Sequence, residues 1–327
     1  MRKFLILFWA LVITPLVANE AIPEDLRVTT IALQAADLMK KVEGKGLLEI
    51  TEDLLKSEDI EKETKEKIKA SNRRIVLFEY PSEGLMVKGY VSFVPSCKDK
   101  PLLVFLRGGA EYVNLKHPAN STSFIEDYTV LSTTYRGGVS PGRDEFGGRD
   151  VNDVDALIDF IPTLEKKLEA SFSANKKYLL GWSRGGMEMF LALSRFPKLQ
   201  NYFDKAVSMS GLLDLPEFLK NRPDMGKMLE QGLGFPLKGE ALKMRNPIDQ
   251  ISTLTTALPI LILQGTKDKI IMVKEGREMI KALKKKGMSV DYIEIEGGNH
   301  CLENIPNSLK LVSDWLEKEE KMEKESA

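Results

Sequence analysis

The chain has 327 residues, 43% of them hydrophobic, with 47 basic against 48 acidic side chains. That length suits one large α/β domain or two small ones with a substantial core. The near-zero charge balance leaves no basic footprint for nucleic acid, and the Lys284-Lys285-Lys286 run reads as a solvated helix face.

The chain opens on Arg2 and Lys3, followed by the almost wholly apolar stretch Phe4 to Val17 and the small residue Ala18. About 14 apolar residues are too few for a membrane span of about 20, so residues 1–18 read as a secretory signal peptide. Cleavage is expected after Ala18, with Ala21 as the second option and an uncleaved anchor as the alternative. No cysteine lies nearby to take a lipid. The expected location is a periplasm or the exterior, with no stable membrane insertion after cleavage.

Residues 19–72 are highly charged, and Val28, Ile31, Ala35 and Leu38 recur at helical spacing, which predicts an N-terminal helical extension. From residue 73 the pattern changes. Strand-like runs stand at 74–80, 87–94, 102–107, 128–134, 177–182, 204–209, 259–265 and 289–295. The first two flank Pro81-Ser82-Glu83-Gly84 closely enough to form a hairpin. Beyond residue 100 strands alternate with helical stretches, which implies parallel strands joined by crossover helices, an α/β fold. A helix over 151–161 carries Val151, Val154, Leu157, Ile158 and Ile161 on one face. Leu103, Val104, Phe105, Leu261 and Leu263 lie in nearly unbroken apolar runs, as strands buried on both faces require. Residues 211–250 form a small helical insertion whose apolar side chains, among them Leu213, Phe218, Met225 and Phe235, either cap the site or pack on the sheet. The main domain spans 73–318, and residues 319–327 are a charged tail.

Gly181-Trp182-Ser183-Arg184-Gly185 matches the nucleophile-elbow pattern G-x-S-x-G. The apolar strand Tyr178-Leu179-Leu180 ends just before it and a helical pattern begins just after, the context that gives the motif meaning. A serine hydroxyl needs a base, a group to orient that base, and donors for the developing oxyanion. The chain has two histidines, and only His300 follows Ser183. With the chain order Ser, acid, His, the base is therefore His300, in the loop Glu296-Gly297-Gly298-Asn299-His300. His117 reads as a surface or substrate-lip residue. Asp268 closes Gly265-Thr266-Lys267-Asp268 at the end of an apolar strand and is the expected acid, ahead of Asp249 and Asp291. The expected oxyanion donors are the backbone N–H groups of Arg184 and of Gly109, in Arg107-Gly108-Gly109-Ala110. Arg107 itself reads as a loop charge facing water or an internal acid. Of the two cysteines, Cys97 precedes the strand at 102–107 and Cys301 lies at the catalytic end. Their separation of about 20 Å exceeds the roughly 7 Å that a disulfide tolerates, so both are expected as free thiols. Cys301 is the competing candidate nucleophile.

Together these residues resemble the catalytic domain of the prolyl oligopeptidase family over roughly 74–316. The motifs are Arg107-Gly108-Gly109, Tyr135-Arg136-Gly137-Gly138, Asp144-Glu145-Phe146-Gly147-Gly148 with the helix start Asp150–Asp153, Gly181 to Gly186, Arg245-Asn246-Pro247-Ile248, Gly265 to Asp268 and Gly298-Asn299-His300. The resemblance implies an α/β-hydrolase fold with an eight-stranded, mostly parallel sheet, a Ser–Asp–His triad acting through an acyl-enzyme, and neither metal nor organic cofactor. Many relatives carry His where Arg107 stands. The family's larger peptidases also carry a β-propeller, for which residues 19–72 are far too short, so strict peptide specificity does not transfer. The expected activity is a serine peptidase acting on small peptides or acyl-amino acids. A carboxylesterase is the alternative, and a non-catalytic binding protein or an acyltransferase stands behind both.

Overall fold

The computed structural model describes residues 39–95, 100–109, 128–172, 176–255 and 257–318. The segment 1–18, residues 19–38 of the extension, Cys97, His117 and the tail 319–327 lie outside the described residues. All eight expected strands are present, and a ninth precedes them. In chain order they are β1 (Leu47–Glu49), β2 (Arg74–Ser82), β3 (Leu85–Phe93), β4 (Leu102–Leu106), β5 (Thr129–Thr133), β6 (Lys177–Trp182), β7 (Lys205–Met209), β8 (Ile260–Gly265) and β9 (Val290–Ile295). They form one sheet in the order β1-β2-β3-β5-β4-β6-β7-β8-β9. β1, β2, β3 and β5 pair antiparallel in turn, and every pair from β5–β4 through β8–β9 is parallel.

The extension is not wholly helical. Its described part holds α1 (Thr51–Lys56) and α2 (Lys62–Ala70), but β1 runs antiparallel to β2 with Leu47 opposite Phe78. A strand of three residues carries too little alternation to announce itself; the exposed edge of β2 supplies the hydrogen bonds that make it one. Val42, Ile50, Leu54, Ile60 and Ile68 pack on Ile75, Leu77 and Tyr90, so the extension buries one face of the antiparallel end of the sheet.

The parallel half shows period-two alternation between two buried faces. Val104, Leu106, Leu179, Ile260 and Ile262 face the larger core, which α3 (Val151–Leu168), α4 (Arg184–Arg195) and α10 (Val273–Lys285) cover. Leu103, Phe105, Leu180, Leu261 and Leu263 face the other side with Val312 and Leu316 of α11 (Ser308–Glu317). The helix predicted over 151–161 continues through Pro162 to Leu168, because Leu164 and Leu168 extend its buried stripe and offset the hydrogen bond lost at the proline. A short helix, α5 (Pro197–Tyr202), leads from α4 to β7.

The insertion after β7 folds into α6 (Leu215–Asn221), α7 (Pro223–Leu233), α8 (Glu240–Lys243) and α9 (Pro247–Gln250). Leu213, Leu215, Phe218, Met225, Leu229 and Leu233 all join the larger core. These side chains pack in the core, while Phe235 stays exposed.

Candidate active site

Ser183 sits between β6 and α4 with φ 52° and ψ −121°, a backbone conformation costing on the order of 1–3 kcal/mol for a residue with a side chain. Its surroundings enforce that turn. The Ser183 N–H donates to the Met209 carbonyl (3.1 Å), and its own carbonyl accepts from Gly186 N–H (2.9 Å) and Leu212 N–H (3.0 Å). The elbow glycines are needed for close approach rather than for a positive φ. A Cβ on Gly185 would lie 1.8 Å from the Leu106 carbonyl oxygen, and one on Gly181 would lie 2.3 Å from the Gly185 oxygen. This contact brings the loop that follows β4 against the elbow.

The acid and the histidine arrive on two adjoining loops. Lys267 N–H donates to the Gly298 carbonyl (2.9 Å), and Gly297 N–H to Thr266 Oγ1 (2.9 Å). Asn299 and Asn304 exchange side-chain to backbone hydrogen bonds that close the turn holding His300. His300 Nδ1 lies 2.9 Å from Asp268 Oδ2, and His300 Nε2 lies 3.0 Å from Ser183 Oγ. Asp268 is buried, and its Oδ1 accepts the N–H groups of Ile270 and Ile271, both at 2.9 Å. Gln264 Nε2 donates to Oδ2 at 3.1 Å. This carboxylate is locked, so the imidazole proton is held on Nδ1 and the Nε2 lone pair faces the serine hydroxyl. The two rival carboxylates are engaged elsewhere: Asp291 accepts Trp315 Nε1–H, and Asp249 accepts the Asn246 amide. Cys301 is a free cysteine, as expected.

The expected oxyanion donors lie where the elbow and the β4 loop meet. A Cβ on Gly108 would come within 3.0 Å of Ser183 Cβ. Among the described residues, neither the Gly109 N–H nor the Arg184 N–H finds an acceptor in the protein.

One cluster beside the site was not visible as such in the sequence. Arg107 faces neither water nor an acid; it is 1% exposed and donates to the carbonyls of Gly108 (2.9 Å) and Thr134 (2.6 Å). The Arg184 side chain is also buried, bidentate on Asp144 (2.6 and 2.8 Å) and paired with Asp150 and Glu188. Burial and the neighbouring Asp150 hold the Glu188 carboxyl well above its ordinary range. Asp150 moves the other way: burial raises it, but Arg184 and a hydrogen bond from Glu188 outweigh that. Arg184 is thus the guanidinium that meets all three acids, while Arg107 beside it is held by carbonyl oxygens. The i,i+4 spacing of Arg184 and Glu188 on α4 was the one local sign of this cluster.

A serine bonded to a histidine that is bonded to a buried carboxylate is equipped for acyl transfer. The model of the prolyl oligopeptidase family matches residues 119–323, well over half of the sequence. The chain belongs to the prolyl oligopeptidase family. It is a serine hydrolase with an α/β-hydrolase fold. It is 26% identical over 219 residues to the uncharacterized peptidase YtmA of Bacillus subtilis, a match covering 64% of this chain and 80% of that protein. It is also 26% identical over 234 residues to the acylamino-acid-releasing enzyme of Arabidopsis thaliana, covering 64% of this chain but 30% of that one. The acylaminoacyl peptidase of Pyrococcus horikoshii superposes with a TM-score of 0.57 at 19% identity, over 75% of this chain and 42% of its own. The chain thus spans less than half of the two acylaminoacyl enzymes it resembles.

Proposed function

We propose that Ser183 is the nucleophile, His300 the general base and acid, and Asp268 the group that orients His300 and stabilises its imidazolium. His300 Nε2 takes the hydroxyl proton as Ser183 Oγ attacks a carbonyl carbon. The tetrahedral oxyanion receives the N–H groups of Arg184 and Gly109. His300 then protonates the leaving amine or alcohol, and water activated by the same imidazole releases the acid from the acyl-enzyme. No metal or organic cofactor enters this scheme. The unbroken chain Ser183 Oγ–His300–Asp268, at 3.0 and 2.9 Å, carries the proposal.

The substrates we assign are small peptides or acyl-amino acids, a reading supported by the family and by the relative named as releasing acylamino acids. Paired substrates test it: an N-acetylaminoacyl arylamide beside the matching aryl ester. Saturable hydrolysis of the amide, abolished in Ser183→Ala, is the expected result. Ester turnover without amide turnover would make the protein a carboxylesterase. The site is expected to work in a periplasm or outside the cell, after export through residues 1–18; cell fractionation showing it only in the cytosol would overturn that.

A pH dependence follows from the same geometry. Burial pulls the His300 imidazole down, but the adjacent Cys301 and the Asp268 carboxylate outweigh it and hold the group above its ordinary value of 6.5. A base must be neutral to accept the proton, so kcat/KM is expected to rise with pH along a limb centred above 6.5. A limb at or below that value, in a full pH–rate profile, would contradict this upward hold on the imidazole.

A further inference from the structure

The scheme above uses the backbone N–H groups of Gly109 and Arg184 but neither of the buried guanidinium groups beside them. Arg107 Nη1 donates to the Gly108 carbonyl at 2.9 Å, while its Nη2 is anchored on the Thr134 carbonyl at 2.6 Å, just beyond β5. Arg184 Nη1 donates to the next carbonyl, that of Gly109, at 3.0 Å. The rest of its fork is fixed by Asp144, Asp150 and Glu188. The Tyr135 ring lies against both cations, with Arg107 Cζ 4.9 Å and Arg184 Cζ 5.0 Å from its centroid. Such contacts are attractive on the face of an aromatic ring, and here one ring serves both like charges.

The peptide plane turns these contacts into an aiming device. In a trans peptide the C=O of one residue and the N–H of the next point in opposite directions. Gripping the Gly108 carbonyl from the protein interior therefore directs the Gly109 N–H outward, away from the Arg107 guanidinium. Gly109 has φ +72°, a conformation that favours glycine, and its own carbonyl is pinned in turn by Arg184. Two successive carbonyls are thus held, which leaves the plane between them little freedom to rotate. Arg184 has a double part: its backbone offers one oxyanion donor, and its side chain holds the residue that offers the other.

We infer that Arg107 and Arg184 form a clamp that fixes the direction and spacing of the two oxyanion donors, and that both are positioning residues for acyl transfer. This rests on the reading of Ser183 as the nucleophile with Gly109 and Arg184 N–H as its oxyanion donors. A lysine at either position keeps the charge but loses the planar fork. The variants Arg107→Lys and Arg184→Lys each leave every backbone N–H in place. A donor misplaced by about 1 Å costs on the order of 100-fold in rate. We expect kcat on the arylamide or ester to fall about 10- to 100-fold, with KM within about threefold. The inhibition constant of a trifluoromethyl ketone analogue is expected to weaken by the same factor as kcat. The acidic limb of the pH profile stays in place, because the His300–Asp268 contact is untouched.

Folded variants whose kcat and analogue affinity both stay within twofold of wild type would overturn the clamp. So would a loss confined to KM, or a failure of both variants to fold, which would make the arginines supports of the fold alone. If only Arg184→Lys fails to fold, Arg107→Lys decides, since Arg107 lies outside the carboxylate pairs. A wild-type protein that the analogue does not inhibit would instead sink the reading of Ser183 itself.

Discussion

Replacing Ser183 with alanine is expected to lower kcat by at least about 10,000-fold, and replacing His300 with alanine to do nearly the same, because in the proposed mechanism the two act as one unit. The residual rate comes from binding and the oxyanion donors, which neither substitution touches. The double variant should therefore be no slower than the worse single one. Independent contributions would multiply, and a double variant slower than either single by a further factor of 100 or more would contradict a shared proton path. Asp268→Ala should fall between these variants and wild type, since the carboxylate orients the imidazole without itself taking the serine proton. Single-turnover kinetics on an activated ester measures all four proteins on one scale.

Asp153→Ala has the largest expected effect on stability. Asp153 is fully buried and lies 2.7 Å from Arg136 Nη2, itself 1% exposed. Its carboxylate also accepts the Arg136 backbone N–H (2.7 Å) and the Ser82 hydroxyl (2.6 Å). One side chain thus ties the start of α3 to the end of β2 and to the turn after β5. Alanine removes the acid and leaves a buried guanidinium with only the half-exposed Glu83 as counter-charge. Removing one partner of a buried pair typically destabilises by about 3–5 kcal/mol. The urea midpoint should fall accordingly with an unchanged slope. A loss below about 1 kcal/mol would be the behaviour of a solvated pair.

The parts of this molecule that were legible in the sequence are those fixed by local pattern or by scarcity. Unbroken apolar runs such as Leu102–Leu106 and Ile260–Gly265 mark buried parallel strands at a glance. With two histidines in the chain, one of them upstream of Ser183, His300 had no rival, and the strand end before Asp268 narrowed the acid. What stayed hidden is non-local. β1 exists only because β2 has an open edge, and no three residues encode that by themselves. The helix past Pro162 is held by a buried stripe that outweighs the proline. Arg107 and Arg184 reach partners 27 and 40 residues away, so each reads in the sequence as an ordinary charge. Their burial follows only when β4, β5 and α4 meet.

The role of residues 211–250 shows the same limit from the other side. Their apolar side chains were visible, but period and composition are the same for a lid as for a packed layer. In the fold, Leu213, Leu215, Phe218, Met225, Leu229 and Leu233 are core side chains.

Labelling by a fluorophosphonate followed by peptide mapping tests Ser183 as the nucleophile most directly. One modified residue, Ser183, is expected, with labelling abolished in Ser183→Ala and retained in Cys301→Ala. An unlabelled wild-type protein, or a label carried by Cys301 or any other residue, would contradict it.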